Sequence, residues 1–244
     1  MGPPPPAAGE SFRASLGRLL LLTLVFFMNF MARIVQAPLM PAIEQELGIS
    51  HAEAGSLFFI LSGGYFITLM GSGFVSARLT HRRTMVLSIV CAGGALLATA
   101  GSEGVWGVRV GLFLTGLSTG LYLPSAIAAI TAFVPPRHWG KAIAVHEVAP
   151  NLAFVAAPLF AEAVLALAAW SSALCALGIG AVLTGLVFAR WGGSGATAGE
   201  APDLRSIGAL GRQPSYWLMI LLFGLGISGS LGLYTRLPLC MVSG

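Results

Sequence analysis

The chain has 244 residues, 56% of them apolar and only 9% charged, against the roughly 25% charged residues of a soluble domain. That balance excludes a soluble globular enzyme and defines an integral membrane protein. The net charge of +4 reflects how charges are sorted between loops and is no argument for nucleic acid as a partner. In chain order, Met1 to Glu10 is Pro-rich and cannot pack, so residues 1–13 read as a disordered cytoplasmic tail. The first apolar run is about twenty residues long and ends without a small-residue cleavage site, which is not the pattern of a signal peptide.

The first predicted span covers about Leu16 to Ala37, long enough at ~20 residues to cross the hydrocarbon. Asn29, Arg33 and Gln36 recur on it at i, i+4 and i+7, one polar stripe on an oily helix. A charge in the bilayer interior costs ~3 kcal/mol and therefore faces a cavity or a partner. Pro38 and Pro41 are expected to end this helix, and Glu44 to Glu53 to form an acidic outer loop. The second span, about Ala54 to Ala77, places Ser62, Tyr65, Leu69, Ser72 and Ser76 on one face, with Gly63, Gly64, Gly71 and Gly73 allowing close helix approach. Span three, about Thr84 to Ala100, is nearly plain. Span four, Trp106 to Phe133, aligns Thr115, Ser118, Tyr122 and Ser125, is expected to kink at Pro124, and carries Gly116 and Gly120 as a packing pair.

Span five, about Gly140 to Leu165, is the most polar, with His146, Glu147, Asn151 and Glu162. Glu147 enters ~10 Å into the membrane at 1.5 Å per residue, on a face with Asn151, Phe154 and Pro158, while His146 is expected to turn ~100° away. Glu147 and His146 are proton-coupling candidates, since ionisable residues inside a membrane mark ion and proton paths; a satisfied interhelical contact is the other reading of each. Span six, about Ala169 to Ala189, is plain again. Spans one, two, four and five are striped and three and six are not, a three-plus-three hydropathy pattern of the kind found within transporter halves. A Gly/Ala/Ser-rich linker over residues 191–213 leads to a seventh span, about Tyr216 to Tyr234, with Arg236 beyond it. Arg13, Arg18, Arg78, Arg82, Arg83, Arg137, Lys141, Arg190, Arg205 and Arg212 fall on one side; Glu44, Glu46, Glu53 and Glu103 fall on the other. The basic side, and with it the N-terminus, is expected in the cytoplasm of a multi-pass cell-membrane protein.

The turn from Gly71 to Arg83 resembles the loop between helices 2 and 3 of the major facilitator superfamily, roughly Gly-x-Leu-Ala-Asp-Arg-x-Gly-Arg-Arg. Gly73, Val75, Ser76, Arg78, Arg82 and Arg83 fall in matching or similar places, while Ala77 stands for the Asp and Thr80 for the Gly. The stretch from Arg33 through Pro41, Leu47 to Ser50, Gly55 and Tyr65 to Arg78 also resembles helices 1 and 2 of that family, especially its anion-carrying branches. Ala157 to Ala161 resembles a loosened antiporter Gly-Pro-x-x-Gly element. The family places an Arg where this chain has Leu112; Arg109, one turn earlier, reads either as a substrate or gating residue or as a structural arginine near the outer end.

The resemblance implies an all-α polytopic transmembrane bundle of about seven helices here, out of the twelve of a complete member. Its expected organisation is a six-helix bundle over 14–190, the linker, and at 214–244 the first helix of an incomplete second bundle. It implies a secondary active transporter working by alternating access on a small solute, an organic anion with proton coupling. Arg33, Asn29, Gln36, Ser118 and Tyr122 would contact the solute, and Gly73, Arg78, Arg82, Arg83 and Arg109 would gate. Arg33 has a second reading, a structural pair with Glu147 or Glu162. No cofactor, metal or catalytic residue is expected. Gly116 to Gly120 fits G-x-S-x-G, but that motif needs a strand, a turn and a helix, whereas it lies here within one apolar helix. The competing class is a truncated, transport-inactive membrane protein acting as scaffold, sensor or remnant.

Overall fold

The computed structural model describes residues 12–193, 198–199, 212–215, 217–218 and 221–222. Its α-helices are α1 (Phe12–Ile34), α2 (Gln36–Leu47), α3 (His51–Arg78), α4 (His81–Ala100), α5 (Gly104–Thr119), α6 (Tyr122–Phe133), α7 (Trp139–His146), α8 (Val148–Leu165) and α9 (Trp170–Trp191), with a 3₁₀ turn at Pro136–His138 before α7. Merged across their breaks, the described helices make six spans long and apolar enough to cross a membrane: Ser15–Leu47, His51–Arg78, His81–Ala100, Gly104–Phe133, Pro136–Leu165 and Trp170–Trp191. The fold is an all-α polytopic transmembrane bundle. The expected seventh span lies almost wholly outside the described residues.

Three of the six spans are broken, and proline accounts for each break. Proline has no N–H to offer the carbonyl four residues earlier. Pro38 removes the partner of Ile34, where α1 ends; Pro124 removes that of Gly120, between α5 and α6; Pro150 removes that of His146, where α7 ends. The expectation that Pro38 and Pro41 terminate the first span is corrected, because the chain bends at Val35 and the helix continues to Leu47. Pro41 is carried inside α2.

The most extensive helix pairs are α4 with α9 and α3 with α5. Both meet at glycine. A Cβ on Gly116 would lie 2.0 Å from the Leu61 carbonyl oxygen, and one on Gly93 would lie 2.6 Å from that of Gly178. Such contact is how transmembrane helices gain van der Waals attraction where lipid removes any hydrophobic drive. The core forms two apolar clusters. One is centred on Val35, Leu39, Leu57, Leu96, Leu112 and Leu174; the other on Leu22, Phe26, Met85, Tyr122, Ile130 and Phe188. Phe27, Met28 and Phe30 pack against both, and a buried polar chain crosses the bundle: Asn29 Nδ2 donates to Ser88 Oγ (3.0 Å), and Ser88 Oγ donates to the Ser118 carbonyl (2.7 Å).

At the acidic end the loop is tied down. Gly48 ends α2 at φ 62°, Ser50 and Glu53 form a capping box at the start of α3, and Trp170 Nε1 donates to Glu46 Oε2 at 2.9 Å. At the basic end Thr80 caps α4, and the segment after α9 returns over the α3–α4 turn. Ala198 makes an antiparallel bridge with Thr80, and Gly199 N–H donates to the Ser76 carbonyl at 2.8 Å. Residues Pro202–Gly244 form a separate unit, with helical positions described at 214–215, 217–218 and 221–222.

Candidate functional site

Arg33 lies near the middle of the 33-residue first span, roughly 27 Å from Ser15 at 1.5 Å per residue. Its guanidinium sits over two rings, 4.2 Å from the centroid of Tyr65 and 4.8 Å from that of Phe30. Stacking uses the faces of the guanidinium and leaves its N–H edges free, the geometry that receives a carboxylate in two parallel hydrogen bonds. Among the described residues Arg33 makes no ion pair; those present join His51 to Glu44 and His146 to Glu147. The reading of Arg33 as the structural partner of Glu147 or Glu162 has no contact to support it.

A second cluster forms where Pro150 breaks the fifth span. His146 is fully buried and its ring stacks on Phe26 at 4.4 Å and 7°. Tyr122 Oη donates to the Leu22 carbonyl at 2.8 Å and lies 3.2 Å from His146 Nε2. A tyrosine hydroxyl has one hydrogen, and a carbonyl can only accept. The hydrogen therefore goes to Leu22, and Nε2 must carry its own to donate to Tyr122. That fixes the tautomer and leaves Nδ1 as the variable position. Nδ1 has no hydrogen bond among the described residues, and it faces Glu147 Oε1 at 3.5 Å.

His146 and Glu147 are neighbours in sequence, and a continuous helix would hold them ~100° apart. Their exposures agree with that separation, 0% for the His146 side chain and 45% for that of Glu147, while the ends of the two side chains approach to 3.5 Å. Glu147 is the junction between α7 and α8. The Glu147 side chain remains 45% exposed, so the pair joins the buried imidazole to an open surface. Asn151, also exposed, donates to the Glu147 carbonyl at 2.7 Å, and Phe154 packs edge-on against Phe30, 5.4 Å between centroids. Through Phe30, Phe154 links the Arg33 cluster to the α8 face that begins at Glu147.

The other predicted residues are distributed differently. Asn29, Gln36, Ser118 and Tyr122 are all buried inside the bundle, so the stripe Asn29–Arg33–Gln36 divides into two interior amides and one half-exposed cation. Ser118 Oγ donates back to the Leu114 carbonyl. Gln36 Nε2 bonds the Ala32 carbonyl while its Oε1 has no hydrogen-bond partner among the described residues. Arg109 stacks on Trp106 at 4.9 Å, on the first turns of α5 and at a distance in sequence from the cluster around Arg33. Gly73 and Arg78 lie in the last turns of α3 and Arg82 and Arg83 in the first turn of α4, where Arg82 donates to the Ala189 carbonyl. The G-x-S-x-G stretch lies at the end of α5, with Gly116 and Gly120 pressed on the α3 backbone. Sequence reading placed Tyr65, Tyr122 and Phe154 but missed Phe26 and Phe30. Phe26, Phe30 and Arg33 recur at i, i+4 and i+7, the only signal that could have joined them.

The striped spans place a cation, Arg33, and a His–Glu pair in one all-α membrane bundle. The chain belongs to the Major Facilitator Superfamily, whose family model matches residues 22–244. It is 26% identical over 172 residues to the 4-hydroxybenzoate transporter PcaK of Pseudomonas putida, an alignment covering 70% of this chain and 38% of that protein. Over 97 residues it is 28% identical to the PcaK of Acinetobacter baylyi, covering 40% of this chain and 21% of the relative. Among solved structures it resembles a bacterial homologue of the human lysosomal transporter Spinster, in its inward-facing and unoccupied conformation, with a TM-score of 0.69, 17% identity, and 80% and 46% of the two chains covered. It also resembles the peptide transporter POT, with a TM-score of 0.67, 18% identity, and 90% and 46% covered. The chain thus spans less than half the length of these proteins.

Proposed function

We propose that this chain supplies the N-terminal half of a secondary transporter that moves a small organic anion by alternating access, coupled to protons. The carrying observation is Arg33, a cation at mid-span between Tyr65 and Phe30 with no carboxylate partner among the described residues. An aromatic carboxylate suits that arrangement chemically: its carboxylate meets the guanidinium edge and its ring meets the aromatic walls. The PcaK relatives are 4-hydroxybenzoate transporters, which supports the same solute class. In this reading residues 14–190 form the first bundle and 191–213 the linker, with the basic end in the cytoplasm. His146 and Glu147 handle the proton, while Gly73, Arg78, Arg82 and Arg83 serve the cytoplasmic gate.

The test is uptake of labelled 4-hydroxybenzoate by cells expressing the complete gene product. Arg33→Gln is expected to lower uptake by at least about tenfold, equivalent to ~1.4 kcal/mol. Arg33→Lys is expected to recover little, since an ammonium offers no planar pair of donors. Full uptake by Arg33→Gln would refute the assignment.

A further inference from the structure

We infer that the outer groove between α4 and α9 at the basic end is a binding site for one anionic phospholipid. The groove has a volume of about 810 Å³ and is lined by Leu79, Thr80, Arg82, Arg83, Val86, Leu87, Val90, Leu186 and Ala189. Its chemistry changes with depth. The two arginines lie at the mouth, Val86 and Leu87 one helical turn further in, and Val90 a turn beyond, so the wall passes from charged to apolar over ~12 Å. A phospholipid has the same order, an anionic headgroup followed by an acyl chain.

The two arginines differ in their anchoring. Arg82 donates to the Ala189 carbonyl, which holds its guanidinium across the mouth from α4 to α9. Arg83 is exposed, and its side chain has no hydrogen bond or ion pair among the described residues. A soluble anion such as free phosphate would satisfy this charge but leave the valine and leucine walls in contact with water. An apolar ligand would fill the walls and leave the charge unanswered. Only an occupant with both parts matches the whole groove, and basic pockets between transmembrane helices are recognised sites for anionic headgroups. The inference shares Arg82 and Arg83 with the proposed cytoplasmic gate, but α4 and α9 carry neither Arg33 nor the His146–Glu147 pair, and its test reads lipid retention rather than transport.

The experiment is native mass spectrometry of the purified complete gene product in detergent, offered phosphatidylglycerol and phosphatidylcholine of the same acyl composition. The wild type is expected to retain one phosphatidylglycerol in preference to phosphatidylcholine. Arg83→Gln should reduce that preference about fivefold, the worth of one basic residue near a lipid headgroup. Leu87→Trp keeps both arginines but fills the groove, and should displace either lipid. Glycerol phosphate at millimolar concentration should not compete. An unchanged preference in Arg83→Gln overturns the proposal. So does a headgroup preference that survives Leu87→Trp, or one that glycerol phosphate removes, since each leaves only a diffuse anion site. If Arg82→Gln fails to fold for want of its bond to Ala189, Arg83→Gln carries the charge test alone.

Discussion

Glu147→Gln is expected, on the proposed coupling, to abolish proton-driven accumulation of solute while leaving exchange of solute for solute nearly intact. The argument is a proton inventory. Tyr122 gives its hydrogen to the Leu22 carbonyl and takes one from His146 Nε2, so the contact between Nδ1 and Oε1 at 3.5 Å has one proton position to fill. With the proton on Nδ1 the pair is an ion pair; with the proton on Oε1 both groups are neutral. Glutamine cannot take the proton and holds the site in one state. In proteoliposomes containing the complete gene product, accumulation under an imposed pH gradient should fall to the equilibrium level. Counterflow of labelled solute should stay within about threefold of wild type, because Arg33 is untouched; uniform loss of both would mark a structural defect. Gradient-driven accumulation by Glu147→Gln at the wild-type level would remove Glu147 from the coupling path. His146→Phe, which keeps a ring against Phe26, should uncouple in the same way.

What could be read from the sequence was set by the range of the physics involved. The first six spans and their order followed from hydropathy alone, because a bilayer demands about 20 apolar residues whatever the neighbours are. Gly116 and Gly120 were legible as a packing pair because small-residue spacing is local to one helix. The contact of His146 with Glu147 was not legible, although Pro150 was in view. A proline says that a helix is disturbed, but the direction of the bend depends on what packs around it. The same holds at Val35, where tertiary packing of Leu39 and Ile43 in the outer core carries the helix on past Pro38. Arg33 was recognisable as a misplaced charge, yet its seat required Tyr65 from another span. A pattern within one helix cannot supply a contact between two.

Gly116→Ala, the addition of a single methyl, is expected to remove most of the folded protein. In an isolated helix the change would be favourable by ~1 kcal/mol, since alanine is the better helix former. Here the new Cβ would meet the Leu61 carbonyl oxygen at 2.0 Å and the Tyr65 backbone nitrogen at 2.9 Å. Backbone atoms cannot rotate aside as a side-chain tip can, so α5 and α3 must separate along one of the two largest contacts in the bundle. Overpacking that side chains can absorb costs about 1–3 kcal/mol, and a backbone clash belongs at or above the top of that range. The clash therefore outweighs the propensity gain. Gly94 is the matched control: a Cβ there meets nothing within 4 Å, so Gly94→Ala should keep or raise the yield. Monodisperse protein after detergent extraction, followed through a thermal ramp, separates the two variants. The Gly116 variant has a second consequence, because Tyr65 is both the residue struck and one wall of the Arg33 seat. On the proposed aromatic-carboxylate site, any Gly116→Ala protein that survives extraction should bind 4-hydroxybenzoate more weakly than wild type. Equal yield and equal binding in the Gly116 and Gly94 variants would mean that α3 and α5 do not pack through this glycine.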